Sequence, residues 1–152
     1  MIKRILILVF PFVILISCSG NKLKEEIVDK YQSGAPKKIE YYRISGSNKE
    51  LAKEVRFYEN GEKSMEGEFL NGNKNGHWTT WFENGNKQSE GYFKDGFREG
   101  AGPVWNEDGS RLYEGYYKHN KADSIWTFYK AGGEILKKVT YKDGKKISEN
   151  SQ

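Results

Sequence analysis

Tyr58-Glu59-Asn60-Gly61, Phe82-Glu83-Asn84-Gly85 and Asn106-Glu107-Asp108-Gly109 are one phrase said three times, and a fourth, weaker copy ends at Gly132-Gly133. The turn glycines Gly61, Gly85, Gly109 and Gly133 stand 24 residues apart. Three further sets keep that step. They are Glu66-Gly67, Glu90-Gly91 and Glu114-Gly115; the aromatics Phe69, Phe93, Tyr117 and Tyr141; and Trp81, Trp105 and Tyr129. A fixed period of about 20–50 residues marks a repeat array, in which each unit buries its apolar surface against its neighbours.

Within a unit, aromatic and β-branched residues flank Asn-Gly, the strongest short hairpin signal. Both central residues of a type I′ turn need positive φ, which glycine adopts freely and asparagine tolerates. A two-residue loop at Asn84-Gly85 sets Phe82 opposite Lys87 and Trp78 opposite Gly91. A bare glycine facing an indole predicts that the ring lies over the neighbouring backbone. On the return strand Ser89, Gly91 and Phe93 share one face, while Gln88, Glu90 and Tyr92 share the other. Trp78 and Trp81 are three apart, so a flat strand sends them to opposite faces unless a bulge or strong twist intervenes. The expected fold is all-β: a single twisted antiparallel meander of repeated hairpins, with nine or ten strands. Composition agrees, because mean hydropathy is −0.83 while aromatics reach 14%. That is too little aliphatic content for a two-layer core, but enough for one sheet with aromatic stacking.

The array has flanks of a different kind. Lys3 and Arg4 precede Ile5 to Ile16, an apolar run of 12 residues. That is too short to span a bilayer and the right length for a signal peptide. It leads into Leu15-Ile16-Ser17-Cys18, which resembles the bacterial lipobox. The resemblance implies cleavage before Cys18, lipidation of that cysteine and attachment to the envelope. Cys18 is the one cysteine in the chain, so no intrachain disulfide and no multi-cysteine zinc site forms. By the same resemblance Ser19, where an inner-membrane protein would carry aspartate, favours the outer membrane. Residues 1–17 are thus read as a lipoprotein signal peptide, 18–26 as a lipidated tether, 27–147 as the repeat domain and 148–152 as a tail. Without Lys3 and Arg4 the cations fall from 25 to 23 against 21 acids, a formal +2. Ile27 to Phe57 is a degenerate first unit, with Ser33-Gly34 at its turn and three extra residues near Ser45 to Lys49. Lys137 to Ile147 closes the array. End units are expected to be polar and atypical because they expose a sheet edge.

Glu66-Gly67-Glu68-Phe69, Asn71-Gly72, Gly76-His77-Trp78, Trp81 and Asn84-Gly85 together resemble MORN repeats, and more closely the bacterial antitoxin-like MORN variants. The resemblance covers about Ile27 to Ile147. It departs where Ser124 and Val139 stand in place of glycine. It implies a hairpin meander used for protein or membrane contact.

Catalysis needs unlike residues converging on one point. Glu66, Glu90 and Glu114 instead recur once per unit, which fits a structural role. His77 and His119 have no motif partner, and the glycine-rich stretches lead into no helix that would cradle phosphate. No catalytic residue, metal ligand or cofactor is assigned. Small net charge and an envelope address argue against nucleic acid. The recurring aromatics Phe69, Phe93, Tyr117 and Tyr141, with Trp78 and Trp126, form the candidate binding face for an envelope protein or glycan. The same residues also serve as stacking that holds the sheet. The alternative reading is an antitoxin-like, inhibitory partner of an exported effector.

Overall fold

The turn phrase closes a hairpin in every unit. In the computed structural model, which describes residues 23–151, the Gly85 N–H donates to Phe82 O (3.0 Å) and the Phe82 N–H to Asn86 O (2.8 Å). Gly85 has φ +84, while Asn84 stays out of the left-handed region. This is a three-residue loop, a type I turn followed by a left-handed glycine. It replaces the expected two-residue type I′ loop, because the asparagine acts through its side chain. Asn84 Oδ1 accepts from the Asn86 N–H (2.9 Å), and Nδ2 donates to Glu107 O of the next turn (2.9 Å). The loops ending at Gly34, Gly61, Gly109 and Gly133 close through the same pair of backbone bonds. A bulge offsets the extra loop residue. Gln88 has no cross-strand partner, and beyond it Trp78 faces Gly91 as expected. Ser64, Leu112 and Leu136 are bulged at the same phase.

The strands in chain order are β1 Lys24–Lys30, β2 Pro36–Ser45, β3 Asn48–Phe57, β4 Lys63–Leu70, β5 Asn73–Trp81 and β6 Lys87–Lys94. They continue as β7 Phe97–Ala101, β8 Val104–Trp105, β9 Arg111–Lys118, β10 Lys121–Tyr129, β11 Ile135–Lys142 and β12 Lys145–Ser151. All belong to one antiparallel sheet in which consecutive strands pair, apart from β7 and β8. β7 and β8 share one position between β6 and β9, split at Gly102-Pro103. Proline has no N–H to give the ladder. Its carbonyl still accepts from the Glu90 N–H (3.1 Å), and the Gly102 N–H donates to Gly115 O (2.9 Å).

Among the described residues eleven strand positions therefore exceed the nine or ten expected. The additions are edges. β1 starts at Lys24, within the segment read as tether, and β12 runs to Ser151, within the segment read as tail. Both are charged and almost wholly exposed, so no alternation of apolar residues announces them. The long first unit arises beside its Gly46 turn, where β2 and β3 reach 10 residues each. The Met1–Cys18 segment, lipobox included, lies outside the described residues.

A second bulge recurs on the opposite arm. Relative to β4, Gly76 and His77 are extra, since Gly67 faces Trp78 and Glu68 faces Asn75. Gly76 (φ +71), Gly100 (φ +79) and Ser124 (φ +61) hold this kink at successive units. Ser124 does so with a side chain that the left-handed region disfavours. The apolar core is correspondingly thin: Ile39, Ala52, Val55, Trp78, Trp126 and Val139. Val139 stands at the phase of Gly67, Gly91 and Gly115, faces Trp126 and is 2% exposed.

Candidate functional site

The bulge at Gly76-His77 presses Trp78 against β4. Its Nε1–H donates to Glu68 O (3.1 Å), and its indole lies over Gly67, where a Cβ would fall within the ring. Trp126 repeats this on Gly115, donating to Tyr116 O (3.2 Å). The ring thus covers the glycine of the preceding strand. The other facing glycine, Gly91, over which the ring was expected, is covered instead by the Arg98 guanidinium.

The aromatics at the 24-residue phase complete each cluster. Phe69 and Phe93 meet Trp78 edge-on, with centroids at 5.3 and 5.8 Å. Tyr117 and Tyr141 meet Trp126 likewise, at 5.0 and 5.6 Å. Such pairs contribute about 0.5–1.5 kcal/mol each beyond area burial. All six residues of the candidate face therefore lie in two triplets on one side of the sheet. The indoles are buried and the four flanking rings half-buried.

Between the triplets the pattern changes. Positions 78, 102 and 126 read Trp, Gly, Trp. The missing indole leaves room that Arg98 fills, reaching from β7, where it faces Phe93. Its guanidinium lies 4.0 Å over the Tyr117 ring, and Nη2 donates to Glu90 O (3.2 Å). Nε is buried without an acceptor. One unit upstream, Lys74 Nζ sits 3.9 Å over Trp78 and 5.2 Å from the Phe93 centroid. Burial lowers the Lys74 ammonium below its ordinary pKa; Glu54 opposes this and Arg56 adds to it. Lys74, Arg98, Ser89, Thr80, Trp78 and Phe93 line a hollow of about 130 Å³. The period itself carries the signal for this arrangement, a glycine at the indole phase at 102 and a basic residue at 74 and 98.

The recurring glutamates pair locally. Glu66, Glu90 and Glu114 each bridge a cation three residues earlier: Lys63 (2.6 Å), Lys87 and Arg111. Glu66 also pairs with Lys53; burial pushes its carboxyl up, and the two lysines outweigh that to leave it lowered. Glu114 accepts from Tyr129 Oη (2.7 Å). In the first unit Glu54, 5% exposed, sits between Lys38 (3.2 Å) and Arg56 (2.7 Å). His77 packs edge-on against Tyr92, and His119 Nδ1 lies 2.9 Å from Glu99 Oε1. Among the described residues no three His, Cys, Asp or Glu side chains converge as metal ligands would. The opposite side of the sheet exposes Tyr92, Tyr116 and Ile125 around Ala101 and Pro103.

No family model and no curated protein matches the chain. Among solved structures it is similar to a Bacteroides fragilis NCTC 9343 protein of unknown function, at 12% identity and a TM-score of 0.24. The alignment covers 88% of this chain and 94% of that one.

Proposed function

We propose that this is a lipid-anchored envelope protein whose aromatic face binds a partner protein and carries out no chemistry of its own. One observation carries the reading. The sheet is a single layer, and among the described residues no second layer covers Phe69, Phe93, Tyr117 and Tyr141, which stay half-exposed in two triplets with only the Lys74 and Arg98 side chains lying against Phe93 and Tyr117. Aromatic side chains on a rigid frame are the usual anchors of protein interfaces. The resemblance to MORN repeats supports a contact surface, and the lipobox at Cys18 supports the address. Two or three acyl chains, at about 0.8 kcal/mol per buried CH₂, anchor stably where one does not.

Two experiments test this. Cys18→Ala should release the protein from the membrane fraction, whereas wild type incorporates labelled palmitate. Retention of the variant without labelling of the wild type refutes the anchor. For the face, Phe93→Ser should abolish capture of the partner found by crosslinking in intact cells, and Gln88→Ser should not. Equal capture by both folded variants reduces the ladder to structural packing.

A further inference from the structure

We infer that the gap in the ladder between Trp78 and Tyr117 is a carboxylate-binding site, built from Lys74 and Arg98, that receives an acidic side chain of a protein partner. The inference rests on the binding role proposed above and names what the partner presents.

Many cations of this sheet are matched to acids, and Lys30, Lys94, Lys118, Lys121, Lys138 and Lys145, which have no acid within salt-bridge distance among the described residues, do not line the hollow. Lys38 pairs with Glu40 and Glu54, Arg56 with Glu54, Lys49 with Glu26, Lys53 and Lys63 with Glu66, Lys87 with Glu90, Arg111 with Glu114 and Lys142 with Asp123. Lys74 and Arg98 differ. Among the described residues their close partners are rings and one carbonyl oxygen. They flank the same side chain, Phe93, and line the same hollow. The Arg98 Nε–H is buried without an acceptor, which is costly to hold, and an anion beside the guanidinium offsets part of that cost. Lowering of the Lys74 pKa by burial points the same way, since a bound anion reverses it.

The choice of anion follows from size and lining. About 130 Å³ admits a carboxylate with part of its aliphatic stem. The stem would lie along Trp78 and Phe93. The Thr80 and Ser89 hydroxyls bond each other (2.8 Å), which uses one of their two O–H donors and leaves the other beside one guanidinium and one ammonium. Arginine's planar fork matches carboxylate and phosphate alike. The ring-lined walls, Trp78 and Phe93, favour an anion that carries an aliphatic stem, as an acidic side chain does.

The test is a titration of the isotope-labelled full-length protein by nuclear magnetic resonance. N-acetylglutamate amide should shift the Arg98 Nε–H and Trp78 Nε1–H signals and leave Trp126 Nε1–H in place. Its neutral twin, N-acetylglutamine amide, should shift neither. Arg98→Met and Lys74→Met should each weaken binding about tenfold, the loss of one charge-assisted contact. Lys74 is exposed as a whole residue and only its ammonium end lies against Trp78, so its variant reports even where Arg98→Met disturbs the fold. Absence of shifts overturns the site. Tighter binding of inorganic phosphate overturns the carboxylate assignment, and tighter binding of glucuronate overturns the protein partner in favour of a glycan. If Phe93→Ser loses the cellular partner while the glutamate probe moves nothing, this inference alone fails. If the probe binds but Phe93→Ser keeps the partner, the proposed binding face alone fails.

Discussion

Gly67→Ala separates two physical effects of opposite sign. Gly67 has ordinary strand backbone, so alanine by itself should stabilise by about 0.5–1 kcal/mol through lost unfolded-state freedom. The packing opposes this. A Cβ at Gly67 would overlap the Trp78 indole, which is 6% exposed and tied by Nε1 to Glu68 O. Ordinary overpacking costs about 1–3 kcal/mol, and losing a buried tryptophan outright costs about 3–5. Because the overlap falls on the ring itself, a net loss of about 2–4 kcal/mol is expected. Gly91→Ala is the internal control. Its Cβ would meet Arg98 Nε at 3.2 Å, and a flexible arginine can yield, so the change should stay within about 1 kcal/mol. Urea denaturation followed by tryptophan fluorescence reads both, and Gly115→Ala should repeat the Gly67 result at Trp126. Comparison between variants is the sound readout, since a repeat array need not unfold in one step. Gly67→Ala as stable as wild type would refute the placement of the indole over β4.

Ser124→Gly should stabilise by about 0.5–1 kcal/mol, measured as a raised urea midpoint, because it relieves the left-handed strain that Gly76 and Gly100 avoid. Asn84→Ala should cost about 1–2 kcal/mol, read from the thermal midpoint, by removing its bonds to the Asn86 N–H and Glu107 O. The hydrogen bond to Glu40 raises the Tyr42 phenol to about 12 from 10.0. A folded pKa above the unfolded one means stability present below pH 10 and lost as pH rises towards 12. Ultraviolet titration against Tyr42→Phe should show that late tyrosinate. Hydrogen bonds from Lys38, then Tyr42, hold Glu40 below 4.5. Its contribution is therefore full above 4.5 and lost as pH falls through the lowered value. An acid unfolding series of Glu40→Gln should be flatter than that of wild type in that range.

Much of this architecture was legible because the repeat writes each choice several times. The period set the hairpins, and Trp78 did come to face Gly91. The turn type is not legible, because Asn-Gly suits both a type I′ centre and the end of a type I turn. A compensating bulge at Gln88 then hid the one-residue difference from the register. The choice of glycine beneath the indole was not legible, since Trp78 faces Gly67 on one side and Gly91 on the other. The kink at Gly76 decides it, and its partner at Ser124 lacks the glycine that would have announced it. The edges are illegible for a different reason. β1 and β12 are held by backbone pairing and ion pairs such as Lys137–Glu149 (3.1 Å), and neither leaves an apolar period. Arg98 is not marked by the period alone, because its importance lies where the repeat breaks, at Gly102.

Phe93 and Tyr92 are adjacent in β6 and point to opposite sides of the sheet, Phe93 into the ladder beside Trp78 and Tyr92 against His77. A photoreactive amino acid placed at either position in intact cells therefore samples one face at a time from the same strand. The proposed binding role predicts a single discrete protein adduct from position 93, and none from position 92. The same adduct from position 92 with none from 93 would place the functional surface around Tyr92, Tyr116 and Ile125 and contradict the account.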